Sequence, residues 1–223
     1  MSKRLIEAKK LIDNKKYDLS DAVVLLKKLS KVKFDETIEI HIKLGIDPKK
    51  NDQIVRGLIS LPYGTGKIKK IAVLAKGEKQ KEAEMAGADV VGFDDLINDI
   101  LKENIKFDVL IATPDVMKDL TKTARILGPK GIMPSPKSGT VTFEIAKAVS
   151  ELKNGRFEYK NDSLGIIHTS VGKVSFDVEK VVCNIDALIK AIANARPASA
   201  KGKYIKNISI SSTMGPGIFI AED

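Results

Sequence analysis

Residues 37–44 read Thr-Ile-Glu-Ile-His-Ile-Lys-Leu, a strict alternation of polar and aliphatic side chains. Successive side chains of a β-strand point to opposite faces of a sheet, so this period of two predicts a strand with one buried face and one wet face. The wet face carries Thr37, Glu39, His41 and Lys43. The strand therefore borders a hydrophobic core on one side and leaves a polar surface available for binding on the other.

Two amphipathic helices are predicted before this strand, and another strand is predicted after it. Aliphatic residues recur at helical spacing from Ser2 to Asn14, and a second helix begins near Ser20, whose hydroxyl is expected to cap it. Asp47-Pro48 opens a polar turn, and residues 54–61 predict the next strand. The chain thus opens as helix, helix, strand, strand.

The segment Pro62-Tyr63-Gly64-Thr65-Gly66 interrupts the second strand and marks a domain boundary. Together with Lys67 it resembles the end of a phosphate-binding loop, but the glycine spacing and the following Ser/Thr that such a loop requires are absent. Glycine adopts backbone angles that other residues avoid. We therefore interpret Gly64 and Gly66, with Gly155 at the second boundary, as hinge positions.

Residues 67–155 differ from both ends of the chain in their pattern of apolar residues. Short continuous apolar runs at 71–75, 90–91 and 109–112 alternate with helical stretches. Such runs indicate parallel strands that are covered on both faces, so this segment is predicted to be a three-layer α/β insert. A helix at 115–127, a loop rich in Gly and Pro, and a helix at 143–153 complete it.

Alternation of polar and apolar residues returns after Gly155. It occupies residues 166–171 and 204–211, on either side of a helix predicted from Val178 to Asn194 and stopped by Pro197. The third segment therefore resembles the first. This likeness favours one discontinuous domain, residues 1–66 with 156–223, around an inserted domain of residues 67–155.

Positive charge is concentrated in the two end segments. The 223-residue chain has a formal net charge of +9. Residues 67–158 hold 16 Lys/Arg and 14 Asp/Glu, whereas the flanking segments hold 22 and 15. Each phosphate that a protein neutralises releases counterions and strengthens association, so the excess favours a nucleic-acid partner for the discontinuous domain. General solubility is the alternative explanation.

Several other classes of protein are disfavoured. No run of about 18 apolar residues is present, so we expect a cytoplasmic protein with no membrane partner. Cys183 is the only cysteine, which excludes a disulfide within the chain, and its valine neighbours predict a buried thiol. His41 and His168 lack a nucleophile or a metal-ligand partner at a recognisable spacing. We expect no enzymatic activity, no metal and no cofactor.

Two segments of unusual composition each have more than one interpretation. The loop at 128–139 is either an anion-contacting surface or a rigid connection. Residues 209–217 combine hydroxyl side chains with glycines that expose the backbone, a combination that suits the 2′-hydroxyls and phosphates of RNA. A serine-rich hairpin turn explains the second segment equally well.

Five strings resemble, in order and spacing, the bacterial ribosomal protein L-one family, and the likeness covers essentially the whole chain. They are Lys33-Phe34-Asp35-Glu36-Thr37, Leu44-Gly45-Ile46-Asp47-Pro48, Ala112-Thr113-Pro114-Asp115, Ile126-Leu127-Gly128-Pro129-Lys130-Gly131-Ile132-Met133-Pro134 and Thr213-Met214-Gly215-Pro216. The resemblance implies an α/β (α+β) fold with a split β-α-β terminal domain made from both chain ends and an inserted three-layer, Rossmann-like α/β domain. Ala124 and Ser135 depart from the family's signature, which puts only the role of the insert loop in doubt.

The resemblance also implies a function. Similar proteins bind large-subunit ribosomal RNA at the mobile stalk near the tRNA exit site, assist release of deacylated tRNA, and repress translation by binding their own operon mRNA. A monomer off the ribosome is expected. The positions that match the family's RNA-binding residues are Phe34, Glu36, Thr37, His168, Gly172, Lys173, Ser211, Thr213, Met214 and Gly215.

Overall fold

The computed structural model describes residues 3–13 and 15–221. The described residues form two compact units. The terminal domain comprises the chain up to Gly66 together with the chain from Phe157 onward, and the insert domain spans Lys67–Arg156. Ser2 and Asn14, the ends of the first predicted helix, lie outside the described residues.

The helices are α1 Lys3–Lys10, α2 Leu19–Leu29, α3 Glu78–Met85, α4 Asp94–Leu101, α5 Met117–Leu120, α6 Ala124–Leu127, α7 Ile145–Lys153 and α8 Val178–Asn194. The strands are β1 Thr37–Leu44, β2 Arg56–Ser60, β3 Ile71–Leu74, β4 Val90–Gly92, β5 Val109–Ala112, β6 Arg156–Lys160, β7 Ile166–Lys173, β8 Ile205–Ser212 and β9 Ile218–Ile220. None of the described helices is long and apolar enough to cross a membrane.

The terminal domain is built on an antiparallel sheet of order β7-β1-β8-β9. β7 and β8 both run antiparallel to β1, which lies between them, so they run parallel to each other. The helix α8 joins them. This arrangement is the split β-α-β unit, and it confirms the predicted fold class. β2 and β6 form a separate two-stranded sheet.

The inward face of β1 lies at the centre of the terminal core. Ile38, Ile40, Ile42 and Leu44 are buried and pack with apolar residues of α2 and α8. Burial of each such side chain stabilises the fold by roughly 1.5–3 kcal/mol. Because the helices cover this face, the opposite face of the sheet carries the polar side chains of β1, as the alternation predicted.

Two local predictions in the terminal helices are wrong. Cys183 is exposed, because α8 turns its Val181, Asn184 and Ile185 face toward the core and the intervening position points outward. α2 begins at Leu19 with Asp18 at the N-cap position, so Ser20 lies inside the first turn. The Ser20 hydroxyl instead donates a hydrogen bond of 2.6 Å to Asp18 Oδ2.

The insert domain has three layers, as predicted. Its sheet has the order β4-β3-β5 with parallel strands. Leu74 and Leu110 belong to one apolar cluster with α4, while Ile71 and Ile111 belong to another with α7, so each face of the sheet is covered. Continuous apolar strands are the expected result of burial on both faces.

The single helix predicted at 115–127 is instead broken. It consists of a 3₁₀ turn at Pro114–Val116, α5, a second 3₁₀ turn at Thr121–Thr123, and α6. Thr121 Oγ1 donates to the Met117 carbonyl at 3.0 Å, and Thr123 Oγ1 donates to the Leu120 carbonyl at 2.7 Å. Threonine hydroxyls that bond the preceding turn compete with the regular helical ladder.

Candidate nucleic-acid interface

The start of β1 and the turn after β8 are joined by hydrogen bonds that backbone N–H groups donate to backbone and side-chain oxygens. Residues 213–215 form this turn, called here the Thr-Met-Gly turn. The Thr37 N–H donates to Thr213 Oγ1 at 3.0 Å, and the Thr213 N–H donates to the Thr37 carbonyl at 3.1 Å. The Met214 N–H donates to Glu36 Oε2 at 2.9 Å. Two segments from opposite ends of the chain therefore form one continuous surface.

The Glu36 carboxylate is the centre of this junction rather than part of its surface. Its residue is only 1% exposed, and Oε1 accepts a hydrogen bond of 2.6 Å from the Ser30 hydroxyl. Burial raises the pKa of Glu36, but hydrogen bonds from Ser212, Ser30 and the Met214 amide, with the charge of Arg4, outweigh that effect and lower the pKa. The ionised carboxylate holds the turn, so Glu36 positions the surface instead of presenting its own side chain.

Lys173 brings a positive charge to the same end of the sheet. Its Nζ donates to Thr37 Oγ1 at 2.9 Å and lies 3.5 Å from the Asp35 carbonyl. The Asp35 carboxylate in turn accepts hydrogen bonds from the amide and the hydroxyl of Ser175 at 3.1 and 2.8 Å. These contacts fix the loop before β1, and they hold the ammonium group beside Thr37, which is bonded to Thr213 of the Thr-Met-Gly turn.

The two predicted glycines have different surroundings. A Cβ added to Gly215 would overlap Ser212 Oγ, so the turn can approach the end of β8 only with glycine here. Gly172 is buried, and its added Cβ would lie 3.2 Å from the Phe176 ring. The structure therefore gives Gly172 a packing role below the sheet rather than a place on the exposed surface.

The predicted apolar contact residues are exposed. Phe34 is 55% exposed before β1, and Met214 is 51% exposed in the turn. Thr213 is exposed beside Met214. Unstacked RNA bases pack against exposed apolar and aromatic side chains, and hydroxyls read their edges, so this end of the sheet has the groups that RNA recognition uses.

The outward face of the sheet extends this surface across four strands. Its residues are Thr37, Glu39, His41 and Lys43 on β1, His168 and Ser170 on β7, Ser209 and Ser211 on β8, and Phe219 on β9. His41 is opposite both His168 and Ser209, and its Nδ1 lies 2.8 Å from His168 Nδ1. The histidines therefore contact each other, although no partner of either was recognisable from its neighbours in the sequence.

Among the described residues, no group of three or more His, Cys, Asp or Glu side chains is arranged to hold a metal ion. The contacts around the histidine pair are hydrogen bonds within a polar surface.

The predicted hinge glycines all have left-handed backbone angles, with φ of 62° at Gly64, 70° at Gly66 and 87° at Gly155. Gly64 is also tied to the terminal domain, because its carbonyl accepts a hydrogen bond of 2.9 Å from the buried Asn184 side chain. The Tyr63 N–H donates to the Asn184 Oδ1 at 3.1 Å. The hinge role of the three glycines stays a prediction.

A cationic domain with a hydroxyl-bearing sheet face, a lysine at its edge and exposed apolar side chains is typical of proteins that bind structured RNA. The sequence model of the Ribosomal protein L1p/L10e family matches residues 26–216, and the chain belongs to this family. It therefore has a structural, rRNA-binding role in the ribosome. The matched range includes every predicted RNA-binding position, and it confirms the ribosomal family that the five sequence strings indicated.

Proposed function

We propose that this protein binds large-subunit rRNA at the mobile stalk near the tRNA exit site, through the Thr-Met-Gly turn and the outward face of the sheet. One observation carries the proposal. Glu36 and Thr37 are bonded to Met214 and Thr213, so residues that are far apart in the sequence present one fixed surface.

Affinity and specificity have separate sources on this surface. Lysine charge in the terminal domain supplies an attraction to phosphate that weakens as salt increases. The turn supplies shape, since Thr213 and Met214 are exposed on a backbone that Glu36 holds in place. An RNA junction with matching 2′-hydroxyls and base edges gains the second contribution, whereas a duplex of arbitrary sequence gains only the first.

The proposal includes two further roles in translation. Attachment to the stalk near the exit site places the protein where it assists release of deacylated tRNA. An operon mRNA that displays a fold like the rRNA site would occupy the same surface, so the protein represses its own translation when free rRNA is scarce. The two RNAs then compete for one monomer, and the proposal requires their binding to be mutually exclusive.

A filter-binding titration against a transcript of the large-subunit rRNA stalk tests the proposal. Met214→Asp places a negative charge and a shorter side chain in the turn, and we expect an affinity loss of at least about tenfold. Met85→Asp is the matched control, because Met85 is 88% exposed and lies in the insert domain. If Met214→Asp bound with unchanged affinity, or if both variants lost the same affinity, the Thr-Met-Gly turn would not be the RNA-binding site. Co-purification of the protein with rRNA, with and without nuclease, tests the partner.

A further inference from the structure

Two histidines, an aspartate and a serine form a continuous chain of polar contacts on the outward face of the sheet. His168 Nε2 lies 3.5 Å from Asp162 Oδ2. The Nδ1 atoms of His168 and His41 lie 2.8 Å apart, and His41 Nε2 lies 3.1 Å from Ser211 Oγ. This chain of hydrogen-bonding groups thus begins at a carboxylate in the loop before β7 and ends at a hydroxyl of the proposed RNA surface.

Asp162 is fixed in place and ionised. Its Oδ1 accepts hydrogen bonds from the amides of Leu164 and Ile166 at 2.9 and 2.7 Å. Burial raises the pKa of the carboxyl, but these two amides and His168 outweigh that effect, and the pKa lies below its ordinary value. The other oxygen, which faces His168, can therefore only accept a hydrogen bond.

An accepting carboxylate sets the direction of every bond when the two imidazoles are neutral. A neutral ring has one N–H and one lone pair, so His168 donates from Nε2 to Asp162 and accepts at Nδ1. His41 must then donate from Nδ1, which leaves its Nε2 as an acceptor for the Ser211 hydroxyl. Burial is the largest of the effects that lower the pKa of His41, so the neutral form of His41 is favoured at neutral pH.

We propose that Asp162, His168 and His41 are positioning residues that make Ser211 a hydrogen-bond acceptor toward RNA. Because its hydrogen is committed to His41, Ser211 Oγ offers lone pairs to a ligand. The group it selects is a donor, such as an amino or imino N–H on a base edge, and a carbonyl or ring nitrogen at the same point finds no hydrogen. This inference rests on the proposed RNA-binding function.

Asp162→Asn tests the direction of these hydrogen bonds, because asparagine has almost the same shape as aspartate. The asparagine Oδ1 still accepts from the two loop amides, so its NH₂ group faces His168 and donates to it. Each bond then reverses, and His41 donates to Ser211 Oγ. Reversal predicts about tenfold weaker binding to the stalk transcript. Loss of a negative charge alone predicts stronger binding, so the two effects have opposite signs. Asp186→Asn, at an exposed position of α8, measures the effect of charge alone.

The same titration in a Ser211→Ala background tests whether the effect passes through the serine. We expect Asp162→Asn to change the affinity there by less than about twofold, because no hydroxyl remains to be reversed. Unchanged or stronger binding of Asp162→Asn in the wild-type background would overturn the inference, as would an equal loss in both backgrounds. If the unmodified protein binds no stalk transcript, the proposed function fails instead.

NMR of the free protein provides a readout that needs no RNA. The chain contains only two histidines, so their imidazole ¹⁵N signals are assigned with a single variant. For the neutral rings we expect the Nε2–H tautomer at His168 and the Nδ1–H tautomer at His41, with both exchanged in Asp162→Asn. The opposite tautomers in the unmodified protein, or no exchange in a folded Asp162→Asn variant, would contradict the inference.

Discussion

The backbone N–H of Met214 donates a hydrogen bond of 2.9 Å to Oε2 of Glu36, a residue 178 positions earlier in the chain. The carboxylate that accepts this bond is buried and also accepts from Ser30. One side chain therefore joins the end of the second helix, the first strand and the turn after β8. This junction connects the stability of the terminal domain to the shape of its RNA surface.

Replacement of Glu36 by Gln is expected to destabilise the terminal domain by roughly 1–3 kcal/mol, because an amide offers one acceptor oxygen where the carboxylate offers two. Urea unfolding followed by tyrosine fluorescence measures this loss selectively, since all four tyrosines (Tyr17, Tyr63, Tyr159 and Tyr204) lie in that domain. Asp186→Asn, with the same charge change at an exposed position, should leave the free energy of unfolding nearly unchanged. Equal effects of the two variants would exclude the proposed role of Glu36.

The contribution of Glu36 should also depend on pH in a defined direction. Its folded pKa lies below the ordinary value of 4.5 because hydrogen bonds favour the charged form. The stability it supplies is therefore complete above pH 4.5 and is lost as the pH falls through the folded pKa. The difference in unfolding free energy between the unmodified protein and Glu36→Gln should shrink over that acidic range. A difference that is constant from pH 7 to pH 3 would contradict this expectation.

Removal of the Thr213 hydroxyl should weaken rRNA binding at little cost to the fold. Thr213→Ala leaves the Thr37 amide without its acceptor and removes an exposed hydroxyl from the turn. We expect the affinity for the stalk transcript to fall by about tenfold or more, and the unfolding free energy by only about 1 kcal/mol. Thr213→Ser keeps the hydroxyl and should retain most of the affinity in the same filter-binding titration. Full affinity of Thr213→Ala would remove this residue from the interface.

Substitution of Gly215 by alanine should disturb the turn through Ser212. The added Cβ would overlap Ser212 Oγ, a hydroxyl that bonds Glu36. Either the turn or Ser212 must move, so both rRNA affinity and terminal-domain stability should fall. Gly217→Ala is the matched control, because an added Cβ there meets no atom within 4 Å. If Gly215→Ala bound and unfolded like Gly217→Ala, close packing in the turn would not explain the glycine.

Helices and strands were predicted correctly where the local periodicity of apolar residues is strong. The alternation in residues 37–44 became β1, and the periodicity from Val178 to Asn194 became α8 with the same limits. β6 and β9 were not predicted, because a five-residue strand with three charged residues and a three-residue strand carry too weak a pattern. These strands form through pairing with distant neighbours, which a local window does not contain.

Less of the candidate site than of the fold could be predicted from the sequence. Alternation placed His41 on the wet face, but its contact with His168, 127 positions away, depends on the register of two strands. The functional positions came from the family resemblance. The structure then divides these positions by their exposure. Glu36 and Gly172 are buried and support the surface, whereas Thr213 and Met214 are exposed on it.

The lysines of the terminal domain should control the salt dependence of RNA binding, because the excess positive charge lies in the two chain ends. Lys33 is exposed just before Phe34. If it contacts one phosphate, Lys33→Ala should reduce the magnitude of the slope of log affinity against log salt by about 0.7 to 0.9. The loss should be similar for stalk and unrelated RNA, since phosphate contacts carry no sequence information.

Lys147→Ala is the control for this measurement, because Lys147 is exposed on α7 of the insert domain. Titrations at several salt concentrations should give it the slope of the unmodified protein. A reduced slope for Lys147→Ala with no change for Lys33→Ala would assign the phosphate contacts to the insert. That outcome would contradict the argument from charge, because the 22 Lys/Arg of the end segments would then contribute less than the 16 of the middle segment.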